Sequence, residues 1–226
     1  MAFRKKGHLI QIEKPDILIV PECEHPDKLI NLPLNATSVL WYGTNKNKGL
    51  AVFSFGRYQL RPMADHNAEL KLFCPIEVTG GELDFILFAV WANNPQDWEY
   101  QYIGQVWKAI HYYEDILKTN QVIIAGDFNS NVIWDKLDRK TSHTMVVEKL
   151  ESLGIFSTYH KHNNEVQGRE LYPTFHMYRH ENQPYHIDYC FASNSFMERM
   201  IEVEVGTFLN WTLHSDHKPL IVTFDF

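Results

Sequence analysis

Residues 122–131 read VIIAGDFNSN. The run Val122-Ile123-Ile124-Ala125 is apolar and largely β-branched, the signature of a buried strand, and it stops at Gly126, Asp127, Phe128 and Asn129. A carboxylate at the mouth of a buried strand costs several kcal/mol unless it is partnered. On an extended segment Asp127 and Asn129, two residues apart, point the same way, while Phe128 faces the core between them. One of the pair carries charge to bind a metal or orient a nucleophile. The other stays neutral and meets an oxygen without adding repulsion.

The same interruption of apolar strands by polar residues recurs three more times. Glu22 follows DILIVP, Asp188 sits inside YHIDYCF, and Ser215-Asp216-His217 precedes KPLIVTF. Apart from the histidine these are hard oxygen donors, which suits a magnesium-assisted phosphate site and not a thiolate zinc site.

Working outward, periodicity predicts a short helix over 3–13 that Pro15 ends, and a strand over 16–20. Further strands are expected at 38–42, 49–54, 70–78 and 83–91, separated by turns as in an antiparallel meander. Tyr102, Val106, Ile110, Tyr113 and Leu117 share one face of a helix expected over 98–118. Then come a strand at 121–126, a helix at 143–153 ended by Gly154, and strands at 185–192, 201–208 and 218–224. Helices mixed with hairpins point to α/β layers with mixed sheets.

The chain has 226 residues, 45% hydrophobic, with no linker, repeat or low-complexity tract, so one domain over 1–226 is the simplest division. Its net charge of -7 gives no global positive field toward nucleic acid or an anionic membrane, so any polyanion must be held locally. Three cysteines, Cys23, Cys74 and Cys190, without CxxC spacing read as free thiols in a reducing compartment, which makes the cytoplasm the expected location. No apolar stretch of about 18 residues predicts a membrane span, and nothing points to an obligate protein partner. Arg4-Lys5-Lys6 reads as an ordinary solvated helix face.

GDFN at 126–129, HID at 186–188, SDH at 215–217 and the glutamate of PDILIVPE at 15–22 resemble, in order and spacing, the endonuclease/exonuclease/phosphatase superfamily, which includes deoxyribonuclease I and exonuclease III. The resemblance implies a deoxyribonuclease I-like, four-layer α/β/β/α sandwich of two mixed sheets, and metal-assisted attack of water on a phosphate ester. It implies that Glu22 and Asp216 are metal ligands for Mg2+ or Mn2+. By the same resemblance, Asp127 orients or activates the water and Asn129 contacts the phosphate. His217 is the catalytic histidine and Asp188 orients its imidazole.

Three departures accompany the resemblance. Family members ordinarily begin with a strand ending in W-N-x-N, and no residue here matches it; the expectation is a family domain shortened at its N-terminus, with two neighbouring strand edges exposed and a tendency to self-associate. Trp91 stands where family nucleases often have tyrosine, leaving Asn94 as a phosphate contact. His186 stands where nucleases often carry arginine, and with His176 it is expected to line the cleft and bind phosphate when protonated. The expected function is a metal-dependent phosphodiesterase, nuclease-like, acting on nucleic acid or another phosphate ester. Hydrolysis of small phosphate esters or phospholipid head groups, and an impaired binding domain, are the alternatives.

Overall fold

The computed structural model describes residues 2–32, 34–70, 72–93 and 99–226. Helix α1 (Phe3–Ile10) leads into strand β1 (Ile17–Cys23), followed by β2 (Ser38–Asn45) and β3 (Lys48–Ser54), which form an antiparallel sheet in the order β1-β3-β2. The two-residue period of these strands sorts their side chains onto opposite faces. Ile17, Ile19, Leu40, Tyr42, Leu50 and Val52 pack toward a second sheet. Leu18, Val20, Trp41, Ala51 and Phe53 pack outward with Phe3 of α1.

The second sheet contains β4 (Gln59–Pro62), β5 (Phe73–Thr79), β6 (Phe85–Trp91) and β7 (Val122–Asp127), the last reached through helices α2 (Ile103–Tyr112) and α3 (Glu114–Thr119). Helix α4 (His143–Ser152), strand β8 (Ile155–Ser157) and helix α5 (Thr158–Asn163) follow, then a short ribbon of β9 (Phe175–His176) and β10 (Pro184–Tyr185), and β11 (Asp188–Ser193). The strand order is β4-β5-β6-β7-β11-β8, with only β6 and β7 parallel. A parallel pair needs a long crossover, which α2 and α3 supply. Phe88, Val90, Val122, Ile124, Tyr189 and Phe191 turn to α2 and α4, whereas Cys74, Ile76, Leu87 and Ala89 turn to the first sheet. The layers therefore run helix, sheet, sheet, helix, with apolar cores at each junction. Helix α6 (Asn194–Met197), strand β12 (Met200–Val205), helix α7 (Phe208–Trp211) and strand β13 (Leu220–Phe224) complete the chain.

Boundaries differ from the expected ones for local reasons. The strand expected from 70 starts at Phe73 because Ala68–Leu70 form a 3-10 turn, with the Glu69 N–H donating to Asn67 Oδ1 at 2.9 Å. The helix expected from 98 begins at Ile103 because Tyr102, at φ 51°, is not helical, and it breaks at Tyr113 into two segments. The strand expected to reach 208 ends at Val205, since Thr207 caps α7. Among the described residues β1 pairs only with β3 and β13 only with β12, so each keeps one unpaired edge. No helix of the described residues is long and apolar enough to cross a membrane.

Gly126 fixes how closely the central strands approach. Its φ is +141°, and a Cβ there would meet the Val90 carbonyl oxygen of β6 at 2.0 Å, so any side chain must push β6 and β7 apart. Gly126→Ala is expected to cost about 3 kcal/mol or more, lowering Tm by roughly 6–12 °C for a chain of this size. Thermal unfolding followed by circular dichroism checks this; an unchanged Tm would refute it.

Candidate active site

The ends of β6, β7 and β11 converge at Asp127. In register, Asp127 lies opposite Trp91 on one side and Asp188 on the other, so two carboxylates are neighbours on adjacent strands. Asp127 is 3% exposed, and its Oδ1 accepts from the Asn129 N–H at 2.8 Å while Oδ2 accepts from Asn129 Nδ2, also at 2.8 Å. The pair is not extended as expected. Asn129 takes φ 46°, a left-handed conformation that asparagine tolerates better than most residues, and the chain closes into a turn on its own aspartate. Asn129 Nδ2 also donates to the Ala92 carbonyl at 3.1 Å. In this arrangement the amide organises Asp127 with its N–H groups, and its carbonyl is what remains for other partners.

His217 arrives from the opposite side. The Ser215 N–H donates to Trp211 O at 2.9 Å at the end of α7, and the His217 N–H donates to Ser215 Oγ at 3.2 Å. His217 Nδ1 lies 3.0 Å from Asp188 Oδ2 and 3.2 Å from Oδ1, an assignment that makes Nδ1 the proton donor and leaves Nε2 to act. Phe175 packs on the imidazole at 4.7 Å between ring centroids. Thr174 Oγ1 accepts the N–H groups of Ile187 and Asp188 at 3.1 and 3.0 Å, pinning the start of β11. Ligand atoms of Asp127, Asp188 and His217 all lie within 4.8 Å of one another.

Burial raises the Asp127 carboxyl well above the usual carboxylate range, and the charge of Asp188 raises it further. Burial opposes the charged form of His217, but Asp188, helped by Asp127 and Asp216, outweighs it and lifts the imidazole to about 9. The site thus pairs a carboxyl that resists ionisation with a histidine that resists losing its proton.

Glu22 occupies the rim. It sits at φ 60° in an irregularity between Val20 and Cys23 of β1, and its carboxylate pairs with Lys48 Nζ at 2.6 Å. Its charge still acts on Asp127. Asp216 acts on His217, and its carbonyl accepts from the His176 N–H at 2.8 Å. The two accessory histidines are placed differently from expectation. His186 is 2% exposed, with Nδ1 at 3.0 Å from the Tyr172 carbonyl and its ring against Tyr159, and burial pushes it down to about 4. His176, 4% exposed, faces the His180 carbonyl and packs edge-on to Phe208, and burial lowers its pKa too. Both sit as buried packing groups in this structure, and burial opposes the charge that binding a phosphate would need. Asn94 lies outside the described residues.

Sequence reasoning missed several neighbours. Glu24, 2% exposed, accepts from the Phe3 N–H at 2.7 Å and pairs with Arg4, fastening α1 to β1. Lys6 of α1 reaches Ser215 Oγ at 2.8 Å. Behind Asn129, Asn131 Nδ2 donates to Glu170 Oε1, the His186 carbonyl and Tyr189 Oη at 2.9–3.1 Å. Burial disfavours the Glu170 carboxylate, but His160 and the Gly168 N–H outweigh it and hold its pKa near 2. No periodic pattern marks such residues; only the cluster of polar letters around 129–131 was a signal.

No protein-family model matches the chain, and no curated protein sequence is similar to it. Solved structures are similar. An AP endonuclease from Archaeoglobus fulgidus superposes with a TM-score of 0.70 at 20% identity, covering 100% of this chain and 96% of that one. The 3′ phosphatase NExo from Neisseria, bound to a product DNA hairpin, gives 0.68 at 17% identity, covering 97% and 95%. An AP endonuclease from Leishmania major gives 0.69 at 14% identity, covering 97% and 82%. With helix, sheet, sheet and helix stacked as described and the polar strand ends meeting at Asp127, the chain has the deoxyribonuclease I-like fold of the endonuclease/exonuclease/phosphatase proteins.

Proposed function

We propose that the chain is a divalent-metal-dependent phosphodiesterase that hydrolyses nucleic acid. The observation that supports this most is the meeting of Asp127, Asp188 and His217, from three separate stretches, within 4.8 Å. Asp127 is the group that orients and deprotonates water: a buried carboxyl with a raised pKa is a stronger base than an exposed one. Asn129 fixes its direction. His217, kept protonated by Asp188, binds a phosphate oxygen and stabilises the negative charge that grows there. Asp127 and Asp188, with Glu22 and Asp216 acting on the same site through their charge but outside the 4.8 Å group, offer the hard oxygens that would suit Mg2+ or Mn2+. Such an ion, when bound, supplies positive charge to the phosphoryl oxygens.

A recess of about 210 Å³ beside Asn129 supports a nucleotide substrate. Tyr102, Trp134, Lys136 and Arg139 help line it. Among the described residues its one acid, Asp135, is engaged by the N–H groups of His143 and Thr144 at the start of α4, at 2.7 and 2.9 Å. Two cations and two aromatic rings thus stand together in the recess, a combination that suits phosphate and base.

The roles are tested by assaying Asp127→Asn and His217→Ala against single- and double-stranded DNA, RNA and bis-p-nitrophenyl phosphate, with Mg2+ and with Mn2+. Each change is expected to lower kcat by about 100-fold or more; wild-type rates in either variant would reject the assignment.

A second expectation concerns stability in metal-free buffer. Both groups have folded pKa values above their unfolded ones. Protonated His217 therefore stabilises the fold below about pH 6.5, and that stability is lost as pH rises through about 9. Neutral Asp127 acts in the same direction, its contribution fading as pH climbs above the unfolded value of about 3.9. Tm should fall as pH is raised from about 5 to 9, and Asp127→Asn should raise Tm and flatten that slope while abolishing activity. An Asp127→Asn protein with unchanged Tm and slope would show that the buried carboxyl is not under this stress.

A further inference from the structure

A positive charge beside the candidate site, apart from His217, comes from a residue whose sequence context suggests a solvated helix face. Lys5 is exposed, but Lys6 of α1 turns inward. The helix is held in that rotation by Glu24, which accepts from the Phe3 N–H at 2.7 Å and pairs with Arg4. Lys6 Nζ lies 2.8 Å from Ser215 Oγ, across 209 positions of sequence. The same hydroxyl oxygen accepts the backbone N–H of His217 at 3.2 Å, so the ammonium stands next to the catalytic imidazole's own segment.

An ammonium has three N–H donors. One meets Ser215; among the described residues the other two have no acceptor. Nearby carboxylates act on it at a distance, Asp216 most, then Glu22 and Asp188, and burial opposes its charge. A cation partly withdrawn from water, with donors left over, is well placed to meet an anion. The groups around it are those proposed above to act on a phosphate ester.

We propose that Lys6 is a phosphate-binding residue of this site, its ammonium moored on Ser215 and donating to a non-bridging oxygen of the substrate phosphate. The proposal rests on the phosphoesterase reading and adds to it a cation that belongs to the protein and does not depend on bound metal. It follows that the protein should hold a phosphate oxyanion even when stripped of divalent ions.

Binding of inorganic phosphate to metal-stripped protein, followed by 31P NMR titration, tests this with wild type, Lys6→Ala, Lys6→Arg and the exposed-face control Lys5→Ala. Wild type and Lys5→Ala should bind alike. Lys6→Ala should bind at least about tenfold more weakly, the loss of one charge-assisted hydrogen bond, and Lys6→Arg should recover part of it. Thermal unfolding of each variant shows that it is folded, and the arginine variant tests the charge should alanine unfold the helix. Phosphate binding equal in wild type and both Lys6 variants overturns the proposal, as does wild type that binds no phosphate without metal. A Lys6→Ala protein that gains Mn2+ affinity in calorimetry with phosphate binding untouched also overturns it, making Lys6 a counter-charge to the acids only. If Lys6 governs phosphate binding but wild type hydrolyses no phosphodiester, the anion site stands and the phosphodiesterase reading falls.

Discussion

The structure depends on a buried carboxylate, Asp127, at the meeting point of three strands. Two ionised carboxylates with oxygens no more than 4.8 Å apart repel by about 3.5 kcal/mol or more at an effective dielectric constant near 20, before any cost of desolvation. The fold offsets this in three places. Asn129 donates twice to Asp127, His217 sits on Asp188, and Asp127 keeps its proton to a higher pH than a free carboxyl. Gly126 makes the arrangement geometrically attainable, since it lets β6 and β7 close to a separation that a Cβ would forbid. Stability is thus set against the chemistry: the repulsion between the ionised acids is what a proton, a histidinium or a cation each relieves.

A second polar layer explains why this strained loop does not simply relax. Tyr189, on β11 next to Asp188, sends its hydroxyl to the Ser130 and His186 carbonyls at 3.2 and 2.9 Å. Asn131 bridges the same tyrosine to Glu170, and Glu170 in turn faces His160 at 3.2 Å. Loop 128–131 is therefore tied to β11 and to the segment before β9 by groups that are themselves satisfied and buried. Networks of this kind rigidify when complete. The neutrality of His186 fits that role: a charged ring there would lack a partner for its second nitrogen, Nε2, which has none among the described residues.

The strands and the central acids were legible in the sequence because a polar letter that stops an apolar run is costly and so informative. Asp127, Asp188 and His217 were found that way, and so were most strand positions. What escaped detection lacked a period. Strand β4 is four residues, Gln59 to Pro62, at a sheet edge, and β8 is three residues running straight into a helix. Glu22 and Glu24 show the limit of alternation. Glu22 was singled out as one step past the apolar strand, yet it is the exposed member, while Glu24 is buried in the structural pair with Arg4. Regular alternation would put Glu22 and Glu24 on one face; the register shift between Val20 and Cys23, with Glu22 at φ 60°, separates them. Lys6 was hidden for a related reason: three consecutive residues, Arg4, Lys5 and Lys6, cannot share one helix face, and only tertiary contacts reveal which of them turns inward.

The overall negative charge of the chain makes the local inventory of cations decisive. Among the described residues, His217, Lys6 and Lys48 are the positive groups that meet or act on Asp127, Asp188, Asp216 and Glu22. With every acid ionised the cluster is negative and repels a phosphate. A proton retained on Asp127 brings it to neutrality, and a divalent ion held by the oxygens turns it positive. Phosphate and metal should therefore favour each other's binding, through charge alone and with no movement of the backbone, and each should ease ionisation of the base that attack by water requires. Distant steering cannot substitute for this, because the field of the whole chain has the wrong sign and is screened beyond about 8–10 Å. On this view the acidic composition does not argue against a polyanionic substrate; it makes recognition conditional on the site being charged correctly.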